Sequence, residues 1–265
     1  CVVTYKPAEG KPVVAVSSVG FAVGKIKPGL SVPADFDQFW AAQKKMLAAV
    51  KMEARLTPVG QKDSGPESFD LQVTCAGGAP VSGYFSRPRN AEEKSCPAIL
   101  WVHGAGVRGS SLGNSLVGAR EGMLSLDINA HGLPNGKPGQ FYSEQARGPL
   151  ANYRYAGRDS RDTIYFRGMY LRIVRAIDFL VAQPQWDGKN VIVIGHSQGG
   201  GQSLVAGGID SRVTTIAVGV PPFTVTNNWS PGIAVAGKVT VTFAVVSVPN
   251  SALLMYPSLL VSLSI

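Results

Sequence analysis

The hydrophobic pattern of the chain alternates between short apolar runs and segments with helical spacing. Four short, mostly apolar runs occupy positions 97–102, 122–128, 191–194 and 213–220, and the run at 191–194 consists of β-branched residues. Their length and composition predict buried strands. Residues 110–120 and 166–181 lie between them, and the second segment carries a clear apolar stripe at helical spacing. This order predicts an α/β fold with a mostly parallel sheet and helices on both faces.

The N-terminal third has a different pattern. Residues 1–30 contain short alternating runs at 13–16 and 21–23, which indicate a β strap or the remnant of a small β module. Helical spacing predicts a helix over 36–50, in which Trp40 is expected to pack in the core rather than form a carbohydrate-stacking platform. Alternation over 67–90 around a Gly-Gly turn predicts a hairpin. We expect domain borders that give segments 1–30, 31–221 and 222–265.

Residues 129–165 show no steady period and are rich in Gly, Pro, Tyr and Arg. A segment of this length without regular elements is usually functional, and we expect an irregular insertion over the active-site face. Arginines alternate here with acidic residues. Ion pairs within the segment explain this alternation better than a site for an anionic ligand.

The strand predicted at 191–194 ends in Gly195-His196-Ser197-Gln198-Gly199, and small residues follow it. A strand, G-x-S-x-G and a helix form the pattern of a nucleophile elbow, in which Ser197 sits on a strained turn. Side chains at positions 195 and 199 would collide with the neighbouring strand and helix. A glycine-rich nucleotide-binding turn is excluded because position 197 is serine and no G-K-[ST] loop occurs.

A serine at a nucleophile elbow is typical of an esterase, which needs N–H donors for the oxyanion in addition to the nucleophile. We assign these donors to the backbone of two residues. One is Gln198, directly after the nucleophile, where the N-terminus of the following helix adds a favourable dipole. The other is Ala105, in the His103-Gly104-Ala105-Gly106 loop that follows the strand at 97–102. We expect His103 to shape this loop by hydrogen bonds rather than to act in catalysis.

The acid and base of a triad are not evident. In the α/β-hydrolase order both follow the nucleophile, yet the sequence beyond Asp210 contains no Asp, Glu or His. His196 neighbours the nucleophile and is expected to point elsewhere. His131, after a strand end on the active-site face, is the candidate substitute base, although no orienting acid is evident. We therefore expect this chain to be a very poor esterase.

Composition narrows the possible binding partners and the possible roles of the cysteines. A net charge of +8 without a run of five basic residues argues against a nucleic-acid partner. Cys1, Cys75 and Cys96 lack C-x-x-C spacing, so we expect neither zinc nor a redox pair. Cys75 and Cys96 form a disulfide or remain buried free thiols, and free thiols are favoured. The start at Cys1 is compatible with processing, with a lipid-modified cysteine or with a fragment.

Several motifs occur in the order found in one known family. They are residues 33–40 (PADFDQFW), 165–171 (YFRGMYL), 175–177 (RAI), 195–201 (GHSQGGG) and 210–213 (DSRV). Together they resemble the acetyl xylan esterase / cephalosporin-C deacetylase family over roughly residues 31–221. The resemblance implies an α/β-hydrolase fold and removal of acetyl groups from decorated sugars or related small esters, with no metal or other cofactor. It also allows a homo-oligomer and is compatible with a secreted or periplasmic location.

The resemblance is incomplete in two places. Residues 129–132 read Asn-Ala-His-Gly where the family typically has Arg-Gly-Gln, and nothing from residue 223 onward matches. Segment 239–265 is uncharged and apolar, but Pro249 and Pro257 interrupt it, so we expect no membrane span. We expect a truncated or aberrant C-terminal part, for which a shifted reading frame or a mis-joined gene model is favoured over a natural tail.

Two alternative functions remain at this point. A non-catalytic α/β-hydrolase relative would bind a carbohydrate or a protein partner through the same pocket. A peptidase or lipase on the same fold is opposed only by the family resemblance.

Overall fold

The computed structural model describes residues 2–16, 32–60, 65–219 and 240–243. The chain divides into two compact units, Cys1–Ser31 and Val32–Ile265. In the first unit, β1 (Val2–Tyr5) and β2 (Val13–Val16) form an antiparallel hairpin, so the strand predicted at 13–16 is confirmed. The run at 21–23 lies outside the described residues. The domain borders expected near residues 30 and 221 stay predictions.

The described residues of the second unit form one eight-stranded sheet and five helices. The strands are β3 (Ala54–Pro58), β4 (Glu67–Val73), β5 (Val81–Arg87), β6 (Cys96–Val102), β7 (Leu124–Ile128), β8 (Trp186–His196), β9 (Thr215–Gly219) and β10 (Thr240–Phe243). The helices are α1 (Phe36–Ala48), α2 (Leu112–Arg120), α3 (Gly139–Arg147), α4 (Tyr165–Val181) and α5 (Gln198–Ile209). Sheet order is β10-β9-β8-β6-β7-β5-β4-β3.

The four strands predicted from apolar runs are parallel neighbours, in the order β9-β8-β6-β7. Because parallel strands end at the same edge of a sheet, the loops after β6, β7 and β8 meet there, and β9 ends at the same edge. The hairpin predicted over 67–90 is also confirmed, because β4 and β5 pair with each other in antiparallel orientation. On the outer sides of this hairpin, β4 pairs with β3 and β5 pairs with β7, again antiparallel. At the other edge β10, within the segment expected to be a divergent tail, pairs in parallel with β9.

Helices cover both faces of this sheet, as predicted. In β6, Leu100 is fully buried in the main core together with Ile177 of α4. The next residue toward the N-terminus, Ile99, meets α2 on the opposite face, where a Cβ on Gly118 would lie 2.8 Å from its Cγ2. Helix α1 packs on α4, and Trp40 contacts Tyr170 at a ring-centroid distance of 6.1 Å, which agrees with the expected core packing.

Two buried arginines on α4 hold neighbouring loops by their carbonyl groups. Arg175 donates to the carbonyl oxygens of Leu47 and Val50 at the end of α1. Arg172 donates through two nitrogens to the carbonyl of Ala130, directly after β7. Each guanidinium therefore supplies donors to backbone carbonyls at the end of an element, and the carbonyl of Leu47 also accepts from the N–H of Val50.

The prediction that residues 129–165 lack regular elements is wrong for Gly139–Arg147, which forms α3. Helix α3 has no buried residue, so no full apolar stripe marks it in the sequence. The expected ion pairs within the segment are also wrong. Among the described residues, Arg161 pairs instead with Asp35, and the guanidinium of Arg154 lies 5.8 Å from the ring centre of Tyr153.

Cys75 and Cys96 are free thiols, the favoured alternative. Cys96 is buried, and burial raises the pKa of the Cys75 thiol. The thiolate is the reactive form of cysteine, so this environment makes Cys75 a poor nucleophile.

Candidate functional site

The candidate nucleophile lies on the turn between β8 and α5. Ser197 has φ +58° and ψ −121°, and Lys94 is the one other non-glycine described residue with positive φ. The N–H of Ser197 donates to the carbonyl of Gly219 at the end of β9 (2.7 Å), while its carbonyl accepts from the N–H of Gly201 (3.2 Å). These bonds hold the residue in a conformation that costs about 1–3 kcal/mol.

Glycines on either side of Ser197 make this turn sterically feasible. A Cβ on Gly195 would lie 2.4 Å from the carbonyl carbon of Gly199. A Cβ on Gly199 would lie 2.2 Å from the carbonyl oxygen of Val102, the last residue of β6. Both distances are far below van der Waals contact, and all the atoms involved belong to backbone. The collisions expected from the sequence at positions 195 and 199 are therefore confirmed.

The loop after β6 lies against the elbow. A Cβ on Gly104 would be 3.4 Å from the Cβ of Ser197. His103 fixes this loop: its Nδ1–H donates to the carbonyl of Gly104 (2.6 Å), and its Nε2 accepts from the N–H of Ala130 (3.0 Å). Burial lowers the pKa of His103 to about 4, so the ring is neutral at pH 7. His103 shapes the loop, as expected.

Three groups at this edge of the sheet have no hydrogen-bond partner within the described part of the chain. They are the hydroxyl of Ser197 and the backbone N–H groups of Ala105 and Gln198. Ala105 is exposed, and Gln198 is the first residue of α5, where N–H groups have no intrahelical acceptor. These amides are free to bind a ligand oxygen, although the assignment of an oxyanion hole to them stays a prediction.

His131, the candidate substitute base, is only 4% exposed. Its Nε2–H donates to the carbonyl of Gly106 (3.2 Å), and its Nδ1 accepts from the hydroxyl of Tyr165 (2.8 Å). Burial lowers the pKa of His131 to about 4, and the positive charge of Arg172 acts in the same direction. Both ring nitrogens are thus occupied by groups other than Ser197, and the base role remains an untested prediction.

The third histidine, His196, is exposed and lies against the backbone of β9. A Cβ on Gly219 would be 2.8 Å from the Cδ2 of the His196 ring. The chain has three histidines, and none of them hydrogen-bonds to Ser197 within the described residues.

Tyr153 is a residue of this site that sequence reasoning missed. Its hydroxyl donates to the side-chain oxygen of Gln198 (2.8 Å) and accepts from the N–H of Gly106 (3.3 Å). Its ring contacts the ring of His131 edge to face, with centroids 4.6 Å apart. Tyr153 lies 45 residues before Gln198 in a segment without hydrophobic period, so no sequence signal points to it.

A buried carboxylate of the central sheet, that of Asp127, has a structural role. Asp127, in β7, accepts from the N–H of Ser111 and from the side chain of Asn114 at the start of α2. Burial raises the pKa of Asp127 to about 6. Among the described residues no group of three or more His, Cys, Asp or Glu side chains could hold a metal ion. None of the described helices is long and apolar enough to cross a membrane.

Comparison with known proteins identifies relatives of this chain. The family model of acetyl xylan esterases matches residues 23–227. Acetyl esterase Axe7A from Xylanibacter ruminicola is 36% identical over an alignment of 214 residues, which covers 77% of this chain and 47% of that protein. The chain therefore spans about half the length of this curated relative.

Two solved structures share the fold. The acetyl xylan esterase from Paenibacillus sp. R4 aligns with a TM-score of 0.60 and 27% identity, over 72% of this chain and 60% of that one. Acetyl xylan esterase 1 from Thermoanaerobacterium sp. JW/SL YS485 aligns with a TM-score of 0.55 and 22% identity, over 70% of this chain and 58% of that one. With its elbow serine on an α/β-hydrolase sheet, the chain belongs to the acetyl xylan esterase family.

Proposed function

We propose that this chain is a serine carboxylic ester hydrolase that removes acetyl groups from decorated sugars or related small esters. The observation that carries the proposal is the backbone of Ser197. It occupies the strained conformation of a nucleophile elbow, and its hydroxyl has no partner within the described residues. Membership of the acetyl xylan esterase family supports the acetyl group and the sugar as substrate.

In the proposed reaction the hydroxyl oxygen of Ser197 attacks the carbonyl carbon of the acetyl ester. The backbone N–H groups of Gln198 and Ala105 donate to the oxyanion that forms, and the N-terminus of α5 adds positive potential. The bond between the carbonyl carbon and the sugar oxygen then breaks, and the sugar leaves as an alcohol after taking up a proton. Water hydrolyses the acetyl-serine, which releases acetate and restores the hydroxyl.

Attack requires that the proton of the Ser197 hydroxyl be removed. His131 could serve as a substitute base only after its Nδ1, the ring nitrogen that accepts a proton, is released from the hydroxyl of Tyr165 and turns toward Ser197. Without that movement the proton passes to water. Loss of triad members costs about 10⁴–10⁶ in turnover. From a typical enzyme rate of about 10 s⁻¹, we propose that the 265-residue chain turns over at about 10⁻³ to 10⁻⁵ s⁻¹.

A second candidate function is a non-catalytic relative that binds a carbohydrate at the same edge of the sheet. The observation that favours it is the neutral, fully bonded state of His103 and His131.

Acetate release from acetylated xylo-oligosaccharides separates the two functions. The native chain, Ser197→Ala and the matched control Ser211→Ala, which changes an exposed serine, are incubated with the same substrate, and binding is measured by calorimetry. An esterase shows slow acetate release in the native chain and the control, and none above background in Ser197→Ala. A binding protein shows equal background release in all three while it still binds the oligosaccharide.

A further inference from the structure

We propose that Tyr153 is a positioning residue for the oxyanion hole, because its hydroxyl joins the two backbone segments that carry the hole's donors. The inference rests on the proposed esterase function and assigns a role to a residue outside the nucleophile, its motif and the loop after β6. Tyr153 is 5% exposed, so its hydroxyl faces protein groups and not a substrate.

The first segment is the loop after β6, which is fixed on both sides of Ala105. On the N-terminal side, the carbonyl of Gly104 accepts from His103. On the C-terminal side, the N–H of Gly106 donates to the Tyr153 hydroxyl. Gly106 has φ +119°. Because a glycine adopts many other backbone conformations as readily, the residue does not fix the loop by itself. The bond to Tyr153 therefore restrains the peptide that follows Ala105, while the N–H of Ala105 has no partner among the described residues.

The second segment begins at Gln198. The Tyr153 hydroxyl donates to the side-chain oxygen of Gln198 at 2.8 Å. The amide nitrogen of the same side chain points at the sulfur of Met169, 3.7 Å away. With both ends of its amide engaged, the buried Gln198 side chain holds the first turn of α5. The backbone N–H of Gln198 in this turn also has no partner within the part of the chain that the structure describes. The hydroxyl oxygen of Tyr153 thus contacts Gly106, which follows the donor residue Ala105, and the side chain of Gln198, the other donor residue.

Catalysis depends on this spacing because an oxyanion donor acts only within about 2.7–3.1 Å of the charged oxygen. Loss of a whole donor costs about 10²–10³ in rate. Loss of the Tyr153 hydroxyl leaves both donors present but no longer fixes the distance between them. We therefore expect a loss of about 10–100-fold in the acylation rate of Ser197, with an unchanged KM, since uniform substrate binding is untouched.

A purely structural role for Tyr153 would depend on its ring. The ring packs against His131, Tyr165 and Phe166. Tyr153→Phe keeps these contacts and removes only the hydroxyl. The matched control is Tyr155→Phe, which makes the same chemical change two residues away, on a side chain that is 58% exposed.

The test is acylation of Ser197 by 4-nitrophenyl acetate, followed as the first release of 4-nitrophenolate and as an acetyl adduct on the peptide that contains Ser197. It is applied to the native chain, to Tyr153→Phe, to Tyr155→Phe and to Gln198→Met. The last variant removes the acceptor oxygen with a side chain of similar shape and keeps the backbone N–H, so it breaks the same bond from the other end. The double variant of Tyr153→Phe and Gln198→Met completes the cycle.

Support for the proposal is a 10–100-fold slower acylation in both single variants with KM unchanged, a double variant no slower than the worse single variant, and a native rate in Tyr155→Phe. If Tyr153→Phe fails to fold, the slower acylation of Gln198→Met decides. The proposal is overturned, while the esterase function stands, if Tyr153→Phe and Gln198→Met acylate within twofold of the native chain or lose only substrate affinity. Equal labelling of the native chain and Ser197→Ala overturns both.

Discussion

Replacement of Gly199 by alanine tests the closest contact of the elbow. The added Cβ would lie 2.2 Å from the carbonyl oxygen of Val102 and 2.9 Å from the carbonyl carbon of His103. Normal contact requires more than 3 Å, so the end of β6 and the start of α5 must separate by about 1 Å. Because every clashing atom is backbone, no side chain can rotate to relieve the overlap.

The magnitude follows from two opposing terms. Overpacking costs about 1–3 kcal/mol, and the backbone clash places this case at the upper end. Alanine gains up to about 1 kcal/mol over glycine in a helix. We expect Gly199→Ala to destabilise the fold by about 2 kcal/mol, which corresponds to a fall of roughly 4–8 °C in Tm for a domain of this size.

Thermal unfolding followed by circular dichroism measures this change. The matched control is Gly113→Ala in α2, where the nearest atom to a new Cβ is the Ser111 Oγ at 3.6 Å. With room for the methyl group, the control should gain up to about 1 kcal/mol and raise Tm by about 2–4 °C. Opposite signs for the two variants support the geometry of the elbow. If Gly199→Ala is as stable as the control, β6 and α5 do not approach each other as described.

Two further predictions concern the buried side chains of His131 and Arg175. Burial lowers the pKa of His131 to about 4, so the unfolded state, with a value near 6.5, binds more protons between these values. The stability that this neutral ring contributes is complete above pH 6.5 and is lost as the pH falls through about 4. In urea unfolding, the free energy of unfolding of the native chain should therefore fall between pH 6.5 and about 4. His131→Gln should reduce this fall by up to about 3 kcal/mol, and an equal fall in both proteins contradicts the reasoning. The raised pKa of Asp127 acts in the opposite direction but is common to both proteins. Arg175→Met removes the donor to the carbonyl of Val50 and one of the donors to the carbonyl of Leu47. It should cost about 1–3 kcal/mol by the same measurement, whereas the exposed Arg120→Met should cost less than about 0.5 kcal/mol.

Much of the fold could be predicted from the sequence because its central strands are buried on both faces. Such strands are near-continuous apolar runs, and β6 and β8 are examples. Helix α4 has a strong stripe because most of its residues are buried. Helix α3 escaped prediction for the opposite reason, since it has no buried residue. The pairing of Thr240–Phe243 with β9 also escaped, because an edge strand of four residues leaves too short a pattern.

The site was predictable as far as local sequence determines it. The strained turn at Ser197 follows from G-x-S-x-G, and the position of the loop after β6 follows from parallel strand order. The contacts of Tyr153 and His131 could not be predicted. They join segments far apart in the chain, and hydrogen bonds between such segments depend on side-chain packing that leaves no period in the sequence.

The most direct test of the esterase proposal is steady-state hydrolysis of 4-nitrophenyl acetate by the 265-residue chain and by Ser197→Ala. We predict a Ser197-dependent turnover of about 10⁻³ to 10⁻⁵ s⁻¹. This is the rate expected for an elbow serine with the proposed oxyanion donors and with no histidine bonded to it among the described residues. Equal rates in the two proteins would contradict the assignment of Ser197 as nucleophile. A Ser197-dependent turnover near 10 s⁻¹ would contradict the prediction that the chain is a very poor esterase, and His131→Ala would then show whether His131 is the base.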